Sequence, residues 1–130
     1  MASVLKVDEM QGVTSAGDIT ITGEGGTGTQ SLQQGLCKAW LQGNSDASTD
    51  DSFNIGGSTD NGTGDYTYSF TTNLGNTKCC VTGMSADNNA EICHNNSRLT
   101  TSFIFKVKEG SDGSTAKDRS HAAAVHGDLA

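Results

Sequence analysis

Three groups of residues in the 130-residue chain have the types and spacing that chemistry requires. The first lies in "DITITGEGGTGTQSLQQGL", residues 18–36, where Gly23, Gly25 and Gly28 match G-x-G-x-x-G after a strand-like "ITIT" and before a helix start. In a dinucleotide-binding fold that order sets a pyrophosphate on the helix N-terminus, but only inside a βαβ unit. Downstream of the one candidate helix come β-type segments alone. Asp46 stands at the distance of a ribose-binding acid, yet "GNSDASTDD" is loop chemistry, and no Gly-Lys-Ser/Thr follows to make a P-loop. The run is read as a linker, not a cofactor cradle.

The second group is "DNGTGD", whose Asp60, Asn61 and Asp65 supply oxygens. Calcium takes six to eight such ligands, in EF-hands at alternate positions with a terminal Glu, and that spacing is absent. A hairpin turn with Asn61-Gly62 at positive φ accounts for the composition. The third group holds nucleophiles and bases. His94, His121 and His126 are scattered, with the last two on opposite faces of one strand; Asp118 and Ser120 neighbour His121. A triad is a matter of spatial geometry, and nothing marks Cys37 or Cys93 as an activated nucleophile. No catalytic, cofactor-binding or metal-binding residues are assigned, and the protein is expected not to be an enzyme.

The four cysteines, Cys37, Cys79, Cys80 and Cys93, form no C-x-x-C. Adjacent Cys79 and Cys80 point to opposite faces if they lie in a strand, as do Cys93 and His94. Free, mostly buried thiols are expected.

Net charge is −7 with a pI near 4.6, and no basic run relieves it, so nucleic acid and anionic membrane surfaces are poor partners. No apolar stretch approaches the roughly 20 residues of a membrane-spanning helix. "MASVLKVDEM" has no basic n-region or long apolar h-region and is not read as a secretory signal. With 33% hydrophobic and 5% aromatic residues, the chain can build only a thin core, of the kind that oligomerisation often supports.

The elements that must position these residues are mostly strands. Residues 3–22 read as an extended arm in which Leu5 and Val7, then Ile19 and Ile21, alternate with polar residues. Ser31 and Gln34 form a candidate capping box for a short helical turn that runs into a strand around Trp40. Phe53 and Ile55 alternate in "DSFNIGG", and Tyr66, Tyr68 and Phe70 share one face of "YTYSFTT". "KCCVTGM" and "ICHNN" read as further strands. Phe103, Phe105 and Val107 point inward from "TSFIFKVK", with Lys106 and Lys108 outward, and "HAAAVHG" closes the chain as a small-residue strand. The expected fold is mainly β: an antiparallel β-sandwich with a short helical turn and an extended N-terminal docking arm. The expected division is an arm over residues 1–22, a Gly-rich linker over 23–28 and a β-sandwich oligomerisation domain over 29–130.

Beyond these readings, "ASVLKVDEMQGVTSAGDITITG" resembles the N-terminal segments of tail-fibre and appendage proteins of bacteriophages, especially those infecting marine bacteria. "QSLQQGLCKAW" followed by "DSFNIGGSTDNGTGDYTYSFTTNL" is similar to the β-rich domain that follows in those proteins, and "AAAVHGDLA" to its closing strand. The resemblance implies a non-enzymatic virion component, assembled in the bacterial cytoplasm, with no cofactor. Its partners would be itself, as a homotrimer, and other virion proteins of tail or capsid. A tail fibre or tail appendage is the first reading and a capsid decoration or head-fibre protein the alternative. On either, Val4, Leu5, Val7, Ile19 and Ile21 would dock the arm onto the particle. A separate reading is a host-recognition module, in which Trp40, Tyr66 and Tyr68 would stack on surface glycans if exposed; the tyrosines share a face with Phe70, which favours the core instead.

Overall fold

A computed structural model of the chain describes residues 5–13, 19–86 and 91–129, with the backbone alone for 91–96. The chain falls into two compact units, Met1–Leu36 and Cys37–Ala130.

In the first unit β1 (Thr20–Thr22) pairs antiparallel with β2 (Thr29–Ser31), and α1 (Leu32–Gly35) follows directly. The glycine run closes this hairpin: the Gly23 amide donates to the Gly28 carbonyl at 2.8 Å, and the Gly26 amide to Gly23 at 2.9 Å. Gly26 has φ +72, a conformation glycine adopts without a Cβ penalty. The residues expected to link arm to sandwich thus tie two strands together within one unit. Ser31 caps α1 as its spacing to Gln34 predicts, its hydroxyl accepting from the Gln34 amide at 3.4 Å. Residues 5–13 of the expected extended arm hold neither strand nor helix. Two alternating apolar residues do not suffice where no neighbouring strand satisfies the backbone groups.

The second unit is the expected antiparallel sandwich. Its strands are β3 (Ala39–Gly43), β4 (Thr49–Phe53), β5 (Ile55–Gly62), β6 (Asp65–Phe70), β7 (Cys80–Ser85), β8 (Glu91–Arg98), β9 (Ser102–Glu109) and β10 (His121–His126). They form two four-stranded sheets, β4-β3-β10-β7 and β5-β6-β9-β8. The core between them is unequally supplied. The second sheet contributes Tyr66, Tyr68, Phe70, Phe103, Phe105 and Val107, whereas the first contributes Ala39, Leu41, Ala123 and Val125. Large side chains on one sheet facing small ones on the other let few aromatics fill the space. Gly83 in β7 shows the limit: a Cβ there would stand 2.6 Å from the Phe105 ring and 2.4 Å from the Ala122 carbonyl.

Two local conformations set the connections. Phe53 and Ile55, which alternate like one strand, belong to different sheets. Between them Asn54 takes φ +59, accepts from the Thr72 amide at 2.6 Å, and donates to the Lys38 and Thr72 carbonyls at 3.0 Å each. Asparagine tolerates this left-handed conformation better than most residues and here makes the corner between sheets. The β5–β6 hairpin turns at Thr63-Gly64, two residues beyond the expected Asn61-Gly62, with Gly64 at φ +63. A Cβ on Gly64 would meet the Val107 carbonyl at 2.4 Å and the Lys117 amide at 2.8 Å. Gly64→Ala is therefore expected to cost about 1–2 kcal/mol from backbone conformation alone, with the clash adding to it. Denaturant unfolding followed by circular dichroism measures it, and a variant as stable as the parent would refute this account.

Candidate functional site

The glycine run, Asp46, the "DNGTGD" oxygens and His121 are each taken up by local structure. The Gly23–Gly28 loop leads into β2, a four-residue α1 and then a strand of an antiparallel sheet, so no βαβ unit surrounds the fingerprint. Asp46 accepts from the Ser48 hydroxyl and, at 3.0 Å, from its amide; these bonds, the hydroxyl's first, hold its carboxyl below the usual range.

In "DNGTGD", Asn61 sits at a bulge between Asp60, which pairs with Tyr66, and Gly62, which pairs with Asp65. Its amide nitrogen donates to Thr67 Oγ1 at 2.8 Å and to Asp65 Oδ1 at 3.3 Å. Asp60 accepts from the Gly62 amide at 2.8 Å, and Asp65 pairs with Lys106. The oxygens stabilise the hairpin, and among the described residues no three His, Cys, Asp or Glu gather as a metal would need.

His121 occupies the most organised polar position. It opens β10 on the inward parity of Ala123 and Val125 and is fully buried. Its ring lies between Tyr66, at 4.6 Å and 21°, and Phe105, at 5.2 Å and 23°. Nδ1 is 2.8 Å from the Arg119 carbonyl and Nε2 is 2.7 Å from the Tyr68 hydroxyl. A carbonyl only accepts, so Nδ1 carries the proton and Nε2 accepts from Tyr68. Asp118, the neighbour that might have oriented the imidazole, instead accepts from the Gly64 amide at 2.7 Å and the Tyr66 hydroxyl at 3.3 Å. The Tyr66 hydroxyl also lies 3.2 Å from the Ser45 carbonyl and accepts from the Arg119 amide at 3.3 Å. Burial pushes Tyr66 up to about 12, raises Tyr68 and lowers His121, so the cluster is neutral around pH 7. This network joins loops at one end of the sandwich to the core. The sequence held a signal for it: in "HAAAV" His121 shares the period-two face of Ala123 and Val125.

The described cysteines, Cys37, Cys79 and Cys80, are free thiols. Cys79 is buried and Cys80 exposed, as adjacent extended residues require, and burial raises the Cys79 thiol. Cys37 is half-buried and its thiol donates to the Ala39 carbonyl at 3.0 Å. Of the described thiols only Cys79 is thus buried; the Cys93 and His94 side chains lie outside the described residues.

The aromatic trio expected to meet glycans if exposed divides. Tyr66 and Tyr68 are each 0% exposed and fill the core, because their parity in β6 is that of Phe70; they offer no stacking surface. Trp40 has the opposite parity to Ala39 and Leu41 and is 39% exposed on the outer face of the first sheet. Cross-strand register sets Phe53, Trp40, Ala124 and Thr82 in one row there, and Asp51, Gln42, Ala122 and Met84 in the next. A shallow groove of about 420 Å³ runs between Trp40, Thr82 and Met84 over the alanines of β10. The second sheet is different: its outward positions include Asp65, Thr67, Ser69, Ser102 and Lys106, with Ile104 among them.

Of the arm residues, Leu5, Val7 and Ile21 are exposed; Ile19 is half-buried and Val4 lies outside the described residues. Met10 and Val13, which sequence reasoning did not single out, are exposed too, as is Leu36. No helix among the described residues is long and apolar enough to cross a membrane. Compared with protein-family models, curated proteins and solved structures, the chain shows no match.

Proposed function

We propose that the chain is a non-enzymatic structural subunit of a phage particle, a tail fibre or tail appendage, which attaches through its N-terminal unit and self-associates through its β-sandwich. The observation that carries this reading is the exposure of Leu5, Val7, Met10, Val13, Ile21 and Leu36 within the first 36 residues. Each large apolar side chain left in water forgoes about 1.5–3 kcal/mol that burial would supply. Six of them on a short segment with little core of its own suit a surface that a partner covers. The resemblance of residues 2–22 and of the β-rich segments to phage appendage proteins supplies the class of partner.

The test places Leu5→Asp, Val7→Asp and Ile21→Asp together in the full chain and measures incorporation into purified particles. At least a tenfold drop is expected, with the sandwich melting unchanged. Incorporation at the parent level would refute docking through this segment. Copies per particle separate the two virion locations, since a decoration protein is present in far greater number than a tail appendage.

A further inference from the structure

We propose that the outer face of the β4-β3-β10-β7 sheet is where two copies of this chain meet, each presenting that face to the other. This rests on the self-association in the proposed function and gives it a two-fold surface, in place of the homotrimer that the resemblance implies.

Three observations select a second copy as the occupant. The first is charge. Each copy carries −7, so two copies repel except where carboxylates are sparse. In the two central rows of this face, Phe53, Trp40, Ala124 and Thr82 with Asp51, Gln42, Ala122 and Met84, Asp51 alone is charged, and it stands on the edge strand. The outer face of the other sheet instead carries the Asp65–Lys106 ion pair among hydroxyl side chains.

The second is relief. Trp40, Phe53 and Met84 stand up on either side of Ala122 and Ala124, with Phe53 52% and Met84 68% exposed. A two-fold axis along the strands sets one copy's Trp40 over the other's alanine trough, and the reverse contact follows by symmetry. A self-complementary face needs this pairing of ridge with trough.

The third is area. Strands about 4.8 Å apart rising about 3.3 Å per residue make four strands of some six residues roughly 380 Å² in plan, or on the order of 1,000 Å² over two copies with side-chain relief. That lies at the lower bound of specific association, so the pairing should be roughly micromolar or weaker.

Sedimentation equilibrium of the full chain between about 5 and 500 µM reads the proposal directly. Concentration-dependent association is expected. Trp40→Glu and Met84→Glu should each weaken it at least tenfold, while Thr67→Glu on the opposite sheet leaves it unchanged. Met84 lies on an edge strand and is mostly exposed, so M84E tests the face even if W40E fails to fold. Association of both variants at parent strength would overturn this face and leave self-association standing. Loss of association in the arm variant but not in W40E or M84E would also overturn it, placing the contact in the N-terminal unit. A parent chain monomeric throughout the range would overturn both the face and the self-association, whereas incorporation into particles still judges the arm on its own.

Discussion

Truncating Phe105 to alanine is expected to lower the unfolding free energy by about 3–5 kcal/mol, a large part of the stability of a domain this size. The ring bridges the two sheets. It belongs to β9 in the second sheet, stacks on His121 of β10 in the first, and lies so close to Gly83 of β7 that even a methyl group there would overlap it. The void left by truncation is poorly placed to close. Gly83 has no side chain to move inward, and its backbone is held in register against Ala123. The His121 ring would lose one of its two flanking faces while keeping its polar partners. The complementary change, Gly83→Ala, is destabilising for the opposite reason, since it overfills the same spot. Guanidinium unfolding at pH 7.5 measures both. A loss under about 1.5 kcal/mol for Phe105→Ala would mean that the sheets collapse freely onto one another and that the bridging account is wrong.

That bridging pair shows what the sequence displays and what it hides. Period-two alternation in "YTYSF" and "SFIFKV" reveals the inward residues of the second sheet because the aromatics are unmistakable. In the first sheet the inward residues are Ala39, Leu41, Ala123 and Val125 with Gly83 in β7, a pattern too weak in hydrophobicity to separate face from face. The thin core foreseen from composition is thin on one side only. Alternation also cannot reveal when two residues of equal parity leave for different sheets, and so "SFNIG" reads as one strand. The left-handed Asn54 that parts them is a conformation asparagine permits but does not announce. The glycine run, which lies outside regular structure as expected, is ambiguous in the same way, since a hairpin loop and a linker share a composition and differ only in whether β1 finds β2. The outer-face patch was partly legible: Trp40 drew attention as an aromatic, but its neighbours Phe53, Met84 and Ala124 come together only through register between strands distant in sequence.

His121 leads to the second large effect, a loss of stability as pH falls from about 7 toward 5. In the folded chain the imidazole is neutral with both nitrogens engaged, and burial holds its pKa below the ordinary 6.5. Protonation would put a hydrogen on Nε2 facing the Tyr68 hydroxyl, which already donates there. Gly43 closes over the pair, a Cβ on it falling 2.6 Å from the Tyr68 oxygen and 2.8 Å from Nε2, so there is little room to rearrange. The faces around the ring are Tyr66 and Phe105, and the Asp118 carboxylate accepts from Tyr66 rather than from the imidazole. The sign follows from linkage. As pH drops through about 6.5 the unfolded chain takes up a proton at this position while the folded chain does not, so unfolding gains. Stability is fully present above that pH and declines below it, by at most about 1.4 kcal/mol per pH unit, until the folded pKa is reached. Asp46 and Asp112 have carboxyls held low by bonds from Ser48 and Thr115, and their contribution fades only below about pH 4, outside this window. Urea unfolding at half-unit steps from pH 7.5 to 5.0 should show the decline. His121→Gln, which keeps a donor and an acceptor but cannot titrate, should be less stable at pH 7.5 and flat across the same range. A flat parent profile, or an equal slope in the glutamine variant, would place the proton elsewhere.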